Sequence, residues 1–209
     1  MRRARAGAAA PGEGGATARD FSRRETWEAW YACAGRLDEA EWLVEPECVA
    51  AHVERLVDRA AEVLVPGCGV SRLGPLLAER GFEHVVCGDC CAAAVRACQA
   101  RHPRGVEWVQ LDALRMSGVV PSASVDLVLD KGLLDAQACA ADARALPALL
   151  AEVRRVLCAG GLYMVVTHGR PGTRSPYFAA QDWALRETTR LGGGSAEQHY
   201  FLLVFERLA

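Results

Sequence analysis

Glu62-Val63-Leu64-Val65-Pro66-Gly67-Cys68-Gly69-Val70-Ser71 is the stretch that decides the fold. A short apolar run ends in two glycines spaced G-x-G, and a helical stretch follows. An isolated apolar strand that breaks into glycines at a helix start is how α/β proteins bring main chain close to a nucleotide-like ligand. Glycine has no Cβ, so such a turn is tight and a ligand can lie against the backbone. G-x-G alone marks many ordinary turns, and the next segment narrows the reading. His84-Val85-Val86-Cys87-Gly88-Asp89 reads as a second strand ending in an acid, and Asp89 lies 22 positions after Gly67. That is close to the spacing at which a Rossmann-like unit sets a carboxylate against ribose hydroxyls.

Together the two features point to a ligand that contains adenosine. A dinucleotide fingerprint needs G-x-G-x-x-G, whereas Arg72 stands three after Gly69 and Gly74 two beyond it. Without that third glycine the helix is expected to stay further from the strand, and the loop to wrap a pyrophosphate poorly. An adenosine cofactor without phosphates fits better, which points to S-adenosylmethionine.

The 209 residues, 51% hydrophobic, are enough for one sizeable core. A net charge of −2 gives no field to recruit nucleic acid or an anionic membrane. The longest apolar runs are far too short to span a bilayer. Nine cysteines, among them Cys68, Cys87, Cys98 and Cys158 in apolar or strand-like contexts, read as reduced, buried thiols of an intracellular protein. Cys87 and Cys90 form one Cys-x-x-Cys, with Cys91 following, but no second ligand pair completes a zinc site. No metal is therefore expected. Residues 1–18, mostly Ala, Gly and Arg, lack the apolar side chains to fold and read as a disordered leader before one domain at 19–209. Arg2, Arg3 and Arg5 make a mitochondrial transit peptide the alternative, but the segment has no amphipathic apolar face. The cytoplasm and a monomer are expected.

The rest of the chain alternates as an α/β, Rossmann-like, doubly wound fold does. Helices are predicted at 27–31 and 46–61, then strand 62–65, helix 72–80, strand 84–88, helix 92–101, and strands 106–111 and 125–129. Leu146, Leu149, Leu150, Val153 and Leu157 recur at helical spacing and predict a long helix over 142–157, ended by Gly160-Gly161, with a fifth strand at 162–167. The tail differs: 183–191 alternates, Gly192-Gly193-Gly194 makes a turn, and 200–205 is apolar and aromatic. This predicts a terminal antiparallel hairpin closing a mostly parallel sheet. A dehydrogenase would continue with a second βαβ half.

Val128-Leu129-Asp130-Lys131-Gly132-Leu133-Leu134-Asp135-Ala136 resembles the V-L-D-K-G-T-L-D-A signature of a small group of seven-strand, class I S-adenosylmethionine-dependent lysine methyltransferases. That group includes the enzymes that methylate translation elongation factor 1-alpha and the one that methylates citrate synthase. Leu133 departs from the usual Thr. The glycine stretch is similar to that group's V-L-x-x-G-C-G-N-S, with Val70 in place of Asn. Val65 stands where most methyltransferases carry an acid, as the elongation-factor enzymes also tend to be apolar there. Trp27, Glu41-Trp42 and Trp183-Ala184-Leu185-Arg186 extend the likeness over most of 21–207. The resemblance implies a seven-stranded sheet, a protein substrate such as a translation factor, and a methyl-lysine product.

It also implies where the cofactor sits. Gly67, Cys68 and Gly69 would meet its methionine moiety, Asp89 and the adjoining Cys90 its ribose, and Asp112 with Ala113 its adenine. Asp112 equally suits a solvated loop acid or a helix cap. Asp130, at the end of the fourth strand, is expected to face the crevice as the catalytic residue, orienting and neutralising the acceptor amine, or to contact the cofactor's ammonium. Lys131 is expected to brace Asp135. Trp27, Tyr31 and Trp42 are candidates to cap the cofactor or line an acceptor channel, and equally fit ordinary packing of an N-terminal helix. A nucleic-acid amino-methylating enzyme would show N-P-P-Y or D-P-P-Y where this chain has Asp130-Lys131-Gly132-Leu133. A small-molecule methyltransferase leaves no readable acceptor motif and is the alternative. A catalytically silent relative would be expected to have lost Gly67, Gly69, Asp89 or Asp130.

Overall fold

Strand β1 (Glu62–Pro66) is buried at every residue but its first, as a central parallel strand covered on both faces must be. The structure, a computed structural model, describes residues 20–192 and 199–209 apart from 34, 39, 180 and 181. β1 pairs in parallel with β2 (His84–Asp89) on one side and β4 (Val125–Lys131) on the other. β3 (Glu107–Gln110) and β5 (Leu157–Thr167) extend the sheet outward in the same sense. β7 (His199–Arg207) runs antiparallel to β5, and β6 (Trp183–Gly192) antiparallel to β7 at the edge. The seven-stranded order is β3-β2-β1-β4-β5-β7-β6. Winding reverses between β1 and β4, so a crevice opens at their carboxyl ends.

Helices α1 (Arg24–Tyr31) and α2 (Pro46–Leu56) precede the sheet. α3 (Leu73–Glu79) and α4 (Ala92–Arg101) cross between β1, β2 and β3. α5 (Leu133–Ala138) and α6 (Ala145–Val156) join β4 to β5, and α7 (Pro171–Arg174) runs into a 3-10 turn, Ser175–Phe178, ahead of β6. Strand alternation divides the side chains between two cores. Leu127 and Leu129 of β4, with Met164 and Val166 of β5, share one core with Val49 and Val53 of α2 and Leu73 and Leu77 of α3. Val128, Tyr163 and Val165 lie on the opposite side with Leu149, Leu150, Val153 and Val156 of α6. At about 1.5–3 kcal/mol per buried aliphatic side chain, that stripe stabilises α6 far more than helix propensity does. A third, smaller cluster joins α1 to α4 and the glycine loop through Tyr31, Val70, Cys91, Ala94 and Cys98.

The predicted hairpin is present as β6 and β7, while residues 193–194 of its turn and the leader 1–18 lie outside the described residues. The helix expected over 46–61 stops at Leu56, because Val57 is extended and the Asp58 carboxylate accepts the Ala60 N–H at 3.1 Å, drawing the chain into a turn. Gly160-Gly161 does not end the long helix. α6 finishes at Val156, and Leu157 already pairs with Val125; the glycines lie in an irregular stretch of β5 before Leu162 pairs with Leu127. The Asp130–Ala136 motif divides between strand and helix: β4 continues to Lys131, Gly132 turns at φ +97°, and α5 begins. The missing third glycine does not hold α3 away from the sheet, since a Cβ on Gly74 would overlap the Cys87 sulfur. Gly74 does the third glycine's work from two positions further along. Among the described residues no helix is long and apolar enough to cross a membrane.

Candidate active site

The glycine loop leaves β1 with Gly67 at φ +64° and Gly69 at φ +54°, a left-handed conformation that L side chains rarely adopt. Its amides turn toward β2: Cys68 N–H donates to Gly88 O at 3.0 Å, and Gly69 N–H donates to Asp89 Oδ2 at 2.9 Å. Asp89 Oδ1 accepts from Cys91 N–H at 2.8 Å. Burial raises the Asp89 carboxyl, and these two amide bonds work against that rise. Each oxygen accepts one amide and retains capacity for a hydroxyl. Cys90, half-buried beside it, has its thiol pushed up to about 12 by burial and by the Asp89 charge. The buried Cys68 thiol is raised by its hydrogen bond with Cys87 and by burial. No disulfide joins the cysteines, and Cys68, Cys87 and Cys98 are buried as expected, whereas Cys158, read as buried, is half-buried, and Cys33, Cys48 and Cys139 are exposed. The three exposed ones sit at the ends of helices α1, α2 and α5, and Cys158 in the irregular start of β5. Among the described residues no cluster of His, Cys, Asp and Glu is arranged to hold a metal ion.

A clasp that the sequence reading missed lies beside this loop. Glu41 Oε1 accepts the Arg72 N–H at 2.7 Å, and Glu41 Oε2 accepts from the Ser71 hydroxyl at 2.7 Å and from Lys131 Nζ at 2.7 Å. Lys131 Nζ also donates to Trp42 O at 2.9 Å. The predicted Lys131–Asp135 brace is therefore absent, for a reason in the strand: Lys131 alternates with Leu127 and Leu129 and points to the α2–α3 side, away from α5. The clasp draws Trp42 and α1 against the loop. Trp27, Trp30 and Trp42 pack with ring centroids 5.8 and 5.9 Å apart, and Trp27 stacks on Tyr31 at 6.1 Å. Tyr31 is buried, and a Cβ on Gly69 would sit 2.6 Å from its hydroxyl. Leu133, the departure from Thr, lies over Gly67 on the other side, 3.1 Å from where a Cβ would be.

Asp130 is not on the crevice surface. Its place in the alternation of β4 is shared with Val128, which sends it under α5, where it is 0% exposed. Oδ1 accepts the Leu133 N–H at 2.8 Å, and Oδ2 accepts the Leu134 N–H at 2.9 Å and the Tyr163 hydroxyl at 2.7 Å. Burial pushes its carboxyl up to about 7 despite these donors. It satisfies orphan amides at the start of α5 and fixes the turn from strand to helix. Asp135 anchors a separate network. Its Oδ1 accepts from Thr167 Oγ1 at 2.5 Å and Arg174 Nη2 at 2.8 Å, and its Oδ2 from the His168 amide at 2.9 Å. At β3, Asp112 is exposed and accepts the Leu114 N–H at 2.9 Å, while Ala113 is buried. Leu111 N–H donates to Asp89 O at 2.9 Å, which sets Asp112 and Ala113 next to Asp89.

These residues fit an adenosyl group that carries no phosphates. The N-terminus of α3, where a pyrophosphate would be held, is already filled by the Glu41 carboxylate. Asp89 supplies hydroxyl acceptors, and glycine at 67 and 69 leaves the loop uncovered between Leu133 and Tyr31.

Known proteins resemble this chain in sequence and in fold. The sequence model of the family described as "Methyltransferase domain" matches residues 64–165. EEF1A lysine methyltransferase 4 of Mus musculus is 30% identical over 190 residues, spanning 84% of this chain and 74% of the relative. The eEF1A lysine and N-terminal methyltransferase of Danio rerio is 31% identical over 154 residues, 72% of this chain but 22% of that longer protein. Among solved structures, 1,6-didemethyltoxoflavin-N1-methyltransferase of Burkholderia thailandensis, with bound 1,6-didemethyltoxoflavin and S-adenosylhomocysteine, superposes with a TM-score of 0.71 at 18% identity. The match covers 94% of each chain and establishes the shared fold.

Proposed function

Because this chain belongs to the class I S-adenosylmethionine-dependent methyltransferases and resembles the EEF1A lysine methyltransferases among them, we propose that it methylates a lysine side chain of a protein, foremost a translation factor. The observation that carries this reading is the Asp130–Ala136 segment, whose Lys131 holds the N-terminal aromatic segment beside the glycine loop while its Asp130 sets α5 alongside. S-adenosylmethionine supplies a methyl group on a sulfonium, so the transfer is a displacement in line with the departing sulfur. Catalysis is then chiefly positioning and electrostatics. Asp89, with Cys90 beside it, holds the ribose hydroxyls. Gly67, Cys68 and Gly69 admit the methionine portion, Asp112 and Ala113 border the adenine, and Trp42 with Tyr31 closes the side. Asp130 serves the transfer as a positioning residue: it fixes Gly132 and α5, on which Leu133 borders the donor. The reaction is placed in the cytoplasm, carried out by a monomer.

Labelled methyl donor incubated with the protein and either purified elongation factor 1-alpha or whole-cell extract tests this. The expected product resists nuclease and yields methyl-lysine on acid hydrolysis. Label recovered in nucleic acid or in the small-molecule fraction would overturn it.

A further inference from the structure

Asp135, Arg174 and His168 are used by no step above, yet they form a built site at the carboxyl edge of the sheet. His168 follows the last residue of β5, where Gly132 N–H donates to Val166 O at 3.1 Å. It therefore stands beside the end of β4, on the side away from the glycine loop. Its Nδ1 lies 2.6 Å from Asp135 Oδ2, which also accepts the His168 backbone amide. The Asp135 side chain is 8% exposed, whereas that of His168 is 55% exposed. Arg174 donates through Nε and Nη2 to Asp135 Oδ1 at 3.1 and 2.8 Å, so the buried carboxylate is neutralised without the imidazole. A carboxylate held by Arg174 accepts only, so a bare Nδ1 lone pair 2.6 Å from it would be repelled; the hydrogen belongs on Nδ1, which leaves the lone pair on Nε2 of the exposed ring. A buried acid that fixes the tautomer of an exposed imidazole is how a general base is prepared.

We propose that His168 Nε2 is the base that takes the proton from the acceptor's ammonium, with Asp135 as its positioning residue. This rests on the lysine reading. A lysine arrives protonated and cannot attack until a proton leaves its nitrogen. That proton passes to Nε2, and the nitrogen lone pair forms the new N–C bond. The donor's C–S bond breaks, its electron pair stays on sulfur, and His168 returns the proton to solvent through its exposed face. The glycine loop of β1 and the end of β5 are two strand spacings apart, roughly 10 Å, so an acceptor nitrogen reaching between them passes the end of β4 beside Leu43 and Leu133. Asp135 on α5 faces the imidazole directly; Arg174 on α7 pairs with Asp135, Tyr177 on the following turn bonds Arg174, and the buried Asp130 of β4 feels the Asp135 charge.

His168→Gln tests this in the full chain, with turnover on the lysine acceptor measured from pH 6 to 10 and S-adenosylhomocysteine affinity measured alongside. Turnover at pH 7 should fall about 10²-fold, the usual contribution of a positioned base. The acid limb should move to higher pH, the variant's rate climbing as free amine accumulates and closing much of the gap at pH 10. Cofactor affinity should be unchanged. A variant within threefold of wild type at pH 7, a uniform loss that keeps the wild-type pH profile, or loss of S-adenosylhomocysteine binding would each overturn the assignment. Failure of the lysine reading is a different result: the wild-type enzyme itself would yield no methyl-lysine.

Discussion

Asp89 and Asp130 end two strands of one sheet, and the fold uses them in opposite ways. Asp89 gives each oxygen one amide and retains the capacity to accept a ligand's hydroxyls. Asp130 gives its oxygens to Leu133, Leu134 and Tyr163 and is sealed from solvent. A strand-end carboxylate in a Rossmann-like sheet is therefore not a ligand contact by position alone. What decides its use is which side of the strand it falls on and what helix begins next to it.

The sharpest way to break this contrast is Asp130→Ala. It leaves two amides and a tyrosine hydroxyl buried without an acceptor, at about 1–3 kcal/mol each, so a total near 4 kcal/mol is expected in denaturant unfolding. Glu41→Ala comes next. Lys131 would be left buried without its counter-ion, and about 3 kcal/mol of stability should go, measured the same way. Asp89→Ala should instead act on binding, lowering cofactor affinity by about 1.5–3 kcal/mol in calorimetry while the chain stays folded. Unchanged affinity would reduce Asp89 to a loop tie.

The pH dependence should separate the two acids further. The Asp130 carboxyl is raised to about 7, so between roughly pH 4 and 7 the folded chain holds a proton that the unfolded chain has released. Stability from this group falls as pH rises through that window. The stability of wild type relative to Asp130→Asn should therefore decline from pH 5 to 7.5. A gap that stays flat would mean the buried acid is ionised throughout. The smallest effect is expected far from both acids. Arg186→Ala removes an exposed ion pair with Glu206, held at 2.6 Å on the β6 edge, and should leave the denaturant midpoint almost unchanged, since solvent screens such a pair.

Much of the donor half was legible in sequence, because the information is local. The glycine turn, the spacing to Asp89 and the apolar runs all act within a few residues or at one crossover's length. The use of Asp130 was half legible. Alternation of Leu127 and Leu129 against Val128 already divides Asp130 from Lys131, and that division rules out a Lys131–Asp135 brace. The helix at Leu133–Ala138 hid it, since a short helix after a strand leaves no periodicity to read. Nothing in the sequence spacing pairs Glu41 with Lys131, and only the closed fold brings Asp135, His168 and Arg174 together. The end of α6 was misread because Gly160-Gly161 looks like a helix stop, whereas Leu157 had already joined the sheet.

The clasp between Glu41 and Lys131 also has a consequence for the order in which the chain folds. Its partners are separated by 90 positions, and the lysine reaches its place only when β4 has been laid against β1. Closing so long a loop is slow and is rewarded only late. The segment carrying α1 and Trp42 is thus expected to dock after the parallel sheet has assembled, and to be the first piece to detach when the folded molecule fluctuates. Hydrogen exchange should find the amides of α1 the least protected of the helices, and those of β1 and β4 among the most. The part of the molecule that closes over the glycine loop would then be held by contacts that span about 90 positions of the chain.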